Sequence, residues 1–175
     1  TAYEIHERLV GSEMCIRDSP IRWIKTIYQI VKNGRRSDLI FVNGLGVESA
    51  IANLILQKQL IRKIVGDPVW ERAYNRKKTT ESFDEFQNNK HSFLIEVQKL
   101  LRNWSINSAE IVITPSDHLK SFVSGLGFNK KILKINNGVD ITDIKKSNVH
   151  KDDVNLLIIS RLVIQKNINL VIEAM

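Results

Sequence analysis

Short apolar runs alternate with helix-patterned stretches from Pro20 onward, and that alternation limits the fold more than any other feature of the chain. The runs are residues 39–42, 60–65, 110–114, 131–135 and 154–160, each of strand length. Between them lie segments with helical period. In residues 20–33, Ile24, Ile27, Tyr28 and Val31 share a face, with Pro20 suited to the first turn and Gly34 to the stop. Residues 47–59 read as a helix, Thr79-Thr80-Glu81-Ser82 as a helix start, and Ser116 as the cap of a helix running to about Leu126. Residues 93–106 form an amphipathic helix with Leu94, Val97, Leu101 and Trp104 on one face, away from Glu96, Lys99 and Arg102. Strands in alternation with helices predict an α/β fold whose parallel sheet is covered on both faces.

The first nineteen residues follow neither period. The run Val10-Gly11-Ser12-Glu13-Met14-Cys15-Ile16-Arg17-Asp18 resembles a translated sequencing adapter, so residues 1–19 are set aside from fold reasoning as an artefact. With them goes Cys15, the chain's one cysteine, which excludes a disulfide framework. The full chain carries 26 Lys and Arg against 19 Asp and Glu. Setting aside two basic (Arg8, Arg17) and four acidic (Glu4, Glu7, Glu13, Asp18) residues raises the net charge from +7 to +9.

Cations cluster at Arg35-Arg36, Arg62-Lys63, Arg76-Lys77-Lys78 and Lys130-Lys131. They read first as solvated surface, and secondly as a face that docks on anionic lipid headgroups. No nucleic-acid motif accompanies them. No apolar run approaches the roughly 20 residues of a spanning helix. No His, Cys, Asp and Glu set has metal-ligand spacing, so no metal is expected.

In an open parallel sheet, ligands bind beyond the carboxyl ends of the strands. Four loops are expected at that edge: Asn43-Gly44-Leu45-Gly46, the segment from Asp67 to Glu71, Pro115-Ser116-Asp117-His118, and the segment from Asn136 to Asp140. Gly44 and Gly46 permit close backbone approach to a ligand. With Ser49 and Asp67 they approximate a dinucleotide fingerprint, in which Asp67 would bind a ribose; Pro68 and the absent third glycine count against it. Trp70 either stacks on a ligand or fills the core, and Glu71 either pairs with a cation or sits on a first helical turn. His118 reads as an exposed polar residue. Asn137-Gly138 is a good turn. Residues 141–153, polar and basic, read as a linker. Beyond them, Arg161 and Lys166 flank a strand-to-helix connection after the apolar run Leu156-Leu157-Ile158-Ile159, where a helix N-terminus and two cations could meet a phosphate.

The order Asn136-Asn137-Gly138-Val139-Asp140, then Ser160-Arg161-Leu162 with Lys166 opening a helix, resembles the centre of a family 4-type glycosyltransferase of the two-domain GT-B fold. The stretch Gly66-Asp67-Pro68-Val69-Trp70-Glu71 is similar to the Gly-Asp-x-x-Trp-Glu segment of some members. The resemblance spans residues 20–175 and implies two Rossmann-like domains. Residues 20–147 would be the later part of the acceptor-side domain, and residues 148–175 a linker with the first strand and helix of the nucleotide-sugar domain. It implies a fragment, inactive alone, of an enzyme that moves a hexose from a nucleotide sugar to a glycan or lipid-linked acceptor with retention and without a metal or other cofactor.

Bacterial surface polysaccharide synthesis, in the cytoplasm or at the inner face of the membrane, is the implied setting. Arg161 and Lys166 would hold the donor diphosphate; Asn137, Gly138 and Asp140 would form the interdomain segment; and Gly44, Gly46, Asp67, Trp70, Glu71 and Ser116 would line the acceptor side. Members often carry a histidine where this chain has Asn43, so no catalytic residue is carried over. The alternatives are a dinucleotide-dependent oxidoreductase fragment and a non-catalytic basic docking domain.

Overall fold

The structure is a computed structural model that describes residues 20–138, 157–160 and 166–174. Residues 1–19, the linker stretch, Asp140 and Arg161 lie outside the described residues.

The chain enters through helix α1 (Pro20–Gly34), then β1 (Leu39–Asn43), α2 (Gly46–Leu56) and β2 (Gln59–Lys63). Three helices follow: α3 (Pro68–Asn75), α4 (Phe83–Asn88) and α5 (Phe93–Asn107). Then come β3 (Ile111–Thr114), α6 (Asp117–Gly125) and β4 (Lys131–Lys134), with a last helix, α7 (Ile168–Glu173). The four strands are all parallel and lie side by side in chain order.

Local chemistry sets the boundaries. Gln57 takes the left-handed conformation that ends α2, and Asn53 clamps the turn by donating to Lys58 O and accepting from Lys58 N, both at 2.9 Å. Asp67 caps α3 by accepting from Val69 N at 3.0 Å, with Pro68 in the first turn. Ser82 and Glu85 close a reciprocal capping box on α4.

Sequential strand order has a consequence for coverage. With right-handed crossovers all stepping the same way, every connecting helix falls on one face of the sheet. Burial follows: Val42, Leu60, Arg62, Val112 and Thr114 are buried, and with Ile106, Ala109, Val123 and Phe128 the apolar members of this face form the main core. The opposite face carries Leu39, Phe41, Ile61, Ile111, Ile113 and Leu133, none of them buried; Phe41 is 55% exposed. The expected coverage of both faces is therefore corrected to one face among the described residues.

Helix α5 also departs from expectation. Its buried positions are Ile95, Lys99, Arg102, Ser105 and Ile106, while Leu94 is 67% exposed and Leu101 and Trp104 are each 39% exposed. The helix turns its polar stripe inward because partners wait there. Lys99 Nζ donates to Phe86 O (2.8 Å) and Asn89 O (2.9 Å), Arg102 pairs with Asp67, and Ser105 accepts from Arg62. A second core of Val69, Ala73, Phe86 and Ile95 joins α3, α4 and α5.

The expected strand 154–160 is corrected where it is described: residues 157–160 form no strand, with Leu157 83% and Ile159 88% exposed. Among the described residues it has no neighbour to complete a ladder, and a lone strand gains neither hydrogen bonds nor burial. Lys166 precedes α7 and is exposed, and none of α7 is buried. Among the described residues, no helix is long and apolar enough to cross a membrane.

Candidate functional site

The parallel order brings the carboxyl ends of β1 to β4 to one edge, as the loop placement requires. There the structure opens a cavity of about 310 Å³ between the first turns of α1, α2 and α3, the end of β2 and the middle of α5. Two of the four expected loops reach it, supplying Leu45 and Gly46 from one and Pro68 and Val69 from the other. Neither Ser116 nor Asn137 and Gly138 line it.

Its described lining is mainly cationic. Arg22, Arg62, Arg72 and Arg102 line the cavity against one carboxylate, Glu48. Arg62 sits on the helix-covered face of β2, level with Val42 and Val112, and is 8% exposed. Its Nη1 donates to Ser105 Oγ at 2.6 Å, and that hydroxyl donates to Arg102 O at 2.8 Å. Burial, and then the neighbouring charge of Arg102, lower the Arg62 pKa to about 10 against the raising effect of Glu48. The guanidinium therefore stays charged at neutral pH. Sequence reading grouped Arg62 with solvated surface cations; the signal that places it inside is its even spacing with Leu60 and Ile64.

The glycine turn makes this packing possible. Gly44 has φ +101°, and Leu45 continues in the left-handed region at φ 40°. A Cβ on Gly46 would stand 2.2 Å from Arg62 Nη2 and 2.4 Å from Cζ, so only glycine admits the guanidinium against the first turn of α2. What approaches the Gly46 backbone is thus a side chain of the protein itself.

Asp67 lies behind the cavity and has no exposed surface. Its Oδ2 is paired with Arg102 Nη1 and accepts from Gln87 Nε2 at 2.9 Å, while Oδ1 caps α3. Arg102 also donates to Gln87 Oε1 at 3.1 Å and lies over the Phe122 ring. Burial lowers the Arg102 pKa, and Asp67 acts against that. The carboxylate expected on the cleft surface is an internal anchor between α3, α4 and α5.

Trp70 does not line the cavity. Its Nε1 donates to Glu81 O at 3.1 Å, and its ring meets Tyr74 and Phe83 at 5.3 and 5.6 Å. Glu71 lies over Gly66, where an added Cβ would stand 2.4 Å from Oε1. Ser116 caps α6 by accepting from Leu119 N at 3.3 Å. His118 is exposed, with Nε2 3.1 Å from Asp84 Oδ1. The aromatic wall of the cavity is Trp23, half-buried on α1, which the helical spacing of α1 did not single out.

Among the described residues, no three His, Cys, Asp or Glu side chains gather as a metal site. No family model, no curated protein and no solved structure matches the chain.

Proposed function

We propose that this chain is part of a retaining, metal-independent glycosyltransferase of the family 4 type, in which residues 20–147 belong to the acceptor-side Rossmann-like domain and residues 148–175 begin the nucleotide-sugar domain. The observation that carries the reading is the cavity at the carboxyl edge of a wholly parallel sheet, reached by the Gly44–Gly46 loop and the start of α3. The Asn137-Gly138 pair, shortly after the end of β4 at Lys134, supports it from the sequence side. In this mechanism a hexose leaves its nucleotide diphosphate with oxocarbenium character. Arg161 and Lys166 meet the charge that develops on the departing diphosphate. The acceptor approaches from the arginine-lined cavity. The setting is bacterial surface polysaccharide synthesis in the cytoplasm, with the basic clusters touching an anionic membrane face.

The dinucleotide alternative is disfavoured by a specific arrangement. It needs Asp67 free for a ribose and open backbone at Gly46 for a pyrophosphate, whereas Asp67 is held by three donors and Gly46 is covered by Arg62.

The test is hexose transfer by an enzyme containing both Rossmann-like halves. Removing one donor to developing charge raises a barrier by about 2.7–4 kcal/mol. Arg161→Ala with Lys166→Ala should therefore reduce turnover at least a hundredfold with little change in melting temperature, and wild-type activity should persist in chelator. Near-normal turnover in the double variant, or a divalent-cation requirement for chemistry, overturns the assignment.

A further inference from the structure

We infer that the cavity between α1, α2, α3 and α5 is a binding site for a phosphoryl group, with Arg62 and Arg72 as its principal cations and Trp23 as an apolar wall beside it. The inference takes from the glycosyltransferase reading only which molecule bears the phosphate: the acceptor.

Two of the cavity's cations, Arg62 and Arg72, bond to no carboxylate among the described residues. Arg102 is matched by Asp67 behind the wall. Arg62 has a neutral hydroxyl for its bonded partner, and Glu48 is the single carboxylate on the lining. Its guanidinium also rests on the first residue of α2, at the positive end of that helix's dipole. No side chain caps this 11-residue helix: Leu45 stands at the cap position and offers no hydrogen bond. Placing a buried cation beside a second arginine and an uncapped helix start is unfavourable on its own. An anion seated between Arg62 and Arg72 offsets both cations at once, with the guanidinium of Arg62 standing between it and the start of α2.

Volume selects the size of the guest. A cavity of about 310 Å³ is at the lower limit of small-molecule sites, which run to roughly 1,000 Å³. It suits a phosphoryl or diphosphoryl group with part of a sugar against Trp23, and is small for a complete nucleotide sugar. The chemistry is shared by a lipid-linked diphosphate and by a free sugar phosphate.

Titration calorimetry on the 175-residue chain with inorganic pyrophosphate tests the site at fixed ionic strength. Saturable one-to-one binding is expected. Arg72→Glu, an exposed change, should weaken it at least tenfold, whereas Lys120→Glu, the same charge change on the exposed side of α6, should leave it unaltered. Arg62→Met should also weaken it at least tenfold. Should that variant fail to fold by circular dichroism, the Arg72→Glu and Lys120→Glu pair decides alone. Farnesyl diphosphate binding more tightly than glucose 1-phosphate assigns the lipid-linked source, and the reverse order assigns the sugar phosphate.

Absence of saturable binding at millimolar pyrophosphate, or equal weakening by Arg72→Glu and Lys120→Glu, overturns the inference. Transfer activity does not enter this measurement. Binding without transfer leaves the cavity standing and sinks the enzyme reading, and transfer without binding does the opposite.

Discussion

Replacing Arg102 by Met should expose how much of the fold depends on the ion pair beneath the cavity. Asp67 has no exposed surface and three donors: Val69 N at 3.0 Å, Gln87 Nε2 at 2.9 Å and the Arg102 guanidinium. Arg102→Met removes the single cation of the three and leaves a carboxylate in the interior with two neutral donors. Breaking one side of a buried pair costs about 3–5 kcal/mol. For a chain of this size that lowers the melting temperature by roughly 10 °C or more. Asp67→Asn in the same background keeps an oxygen for the α3 cap and an amide for Gln87 while removing the stranded charge, so most of the deficit should return.

Urea unfolding of the wild type, Arg102→Met and Asp67→Asn/Arg102→Met at pH 7 measures both the loss and its recovery. A single-variant cost below about 1 kcal/mol, well under the buried-pair range, or a double variant as unstable as the single, would show that Asp67 is not the anchor described.

Three further outcomes follow from other parts of the molecule. Glu81 is held below the ordinary carboxylate range by Asn89 and then His91, Glu85 by the Ser82 N–H and then its hydroxyl, and Glu96 by the His91 N–H and Lys99 against the opposing effect of burial. Folded values below unfolded ones give stability that is complete above about pH 4.3 and lost as pH falls through the folded values; thermal melts from pH 6 to pH 3 should show that loss, and Glu85→Gln should flatten part of it. Phe41→Thr, on the uncovered sheet face, should reduce binding of an apolar fluorescent dye while changing unfolding free energy by only about 0.5 kcal/mol. Gly46→Ala should destabilise the chain and weaken pyrophosphate together, because its Cβ takes the space of the Arg62 guanidinium; an unchanged melting temperature would contradict that packing.

Much of the fold was legible because strands and helices leave period and punctuation in the sequence. The runs at 39–42, 110–114 and 131–135 became β1, β3 and β4, and Pro20, Gly34 and Ser116 punctuate helices as their chemistry requires. The misses have physical causes. Helix α3 stood as only one of two readings, with Glu71 on its first turn, because its signals, Asp67 as cap and Pro68 in the first turn, also fit a loop at a ligand edge. The run at 60–65 continued apolar past Lys63, yet β2 ends there, and Val65 is 57% exposed. Coverage of the sheet was misjudged because alternation fixes which elements follow one another, whereas strand order fixes the face on which helices land.

The site was less legible, and α5 shows why. A hydrophobic stripe predicts the inward face only when the partner surface is apolar. Here the surfaces facing α5 carry Asp67, Arg62 and the free carbonyls of Phe86 and Asn89, so Lys99, Arg102 and Ser105 turn inward and satisfy them. Each of those partners is remote in sequence: Arg62 lies 43 residues from Ser105, and Asp67 lies 35 from Arg102. No window of the chain holds both members of either pair, so their charges read one at a time as surface. Only the parallel pairing that sets β2 between β1 and β3 puts Arg62 beneath the start of α2 and next to Arg102. The cluster of positive charge at the cavity is therefore a property of the fold's topology, and it can be tested with an anion alone.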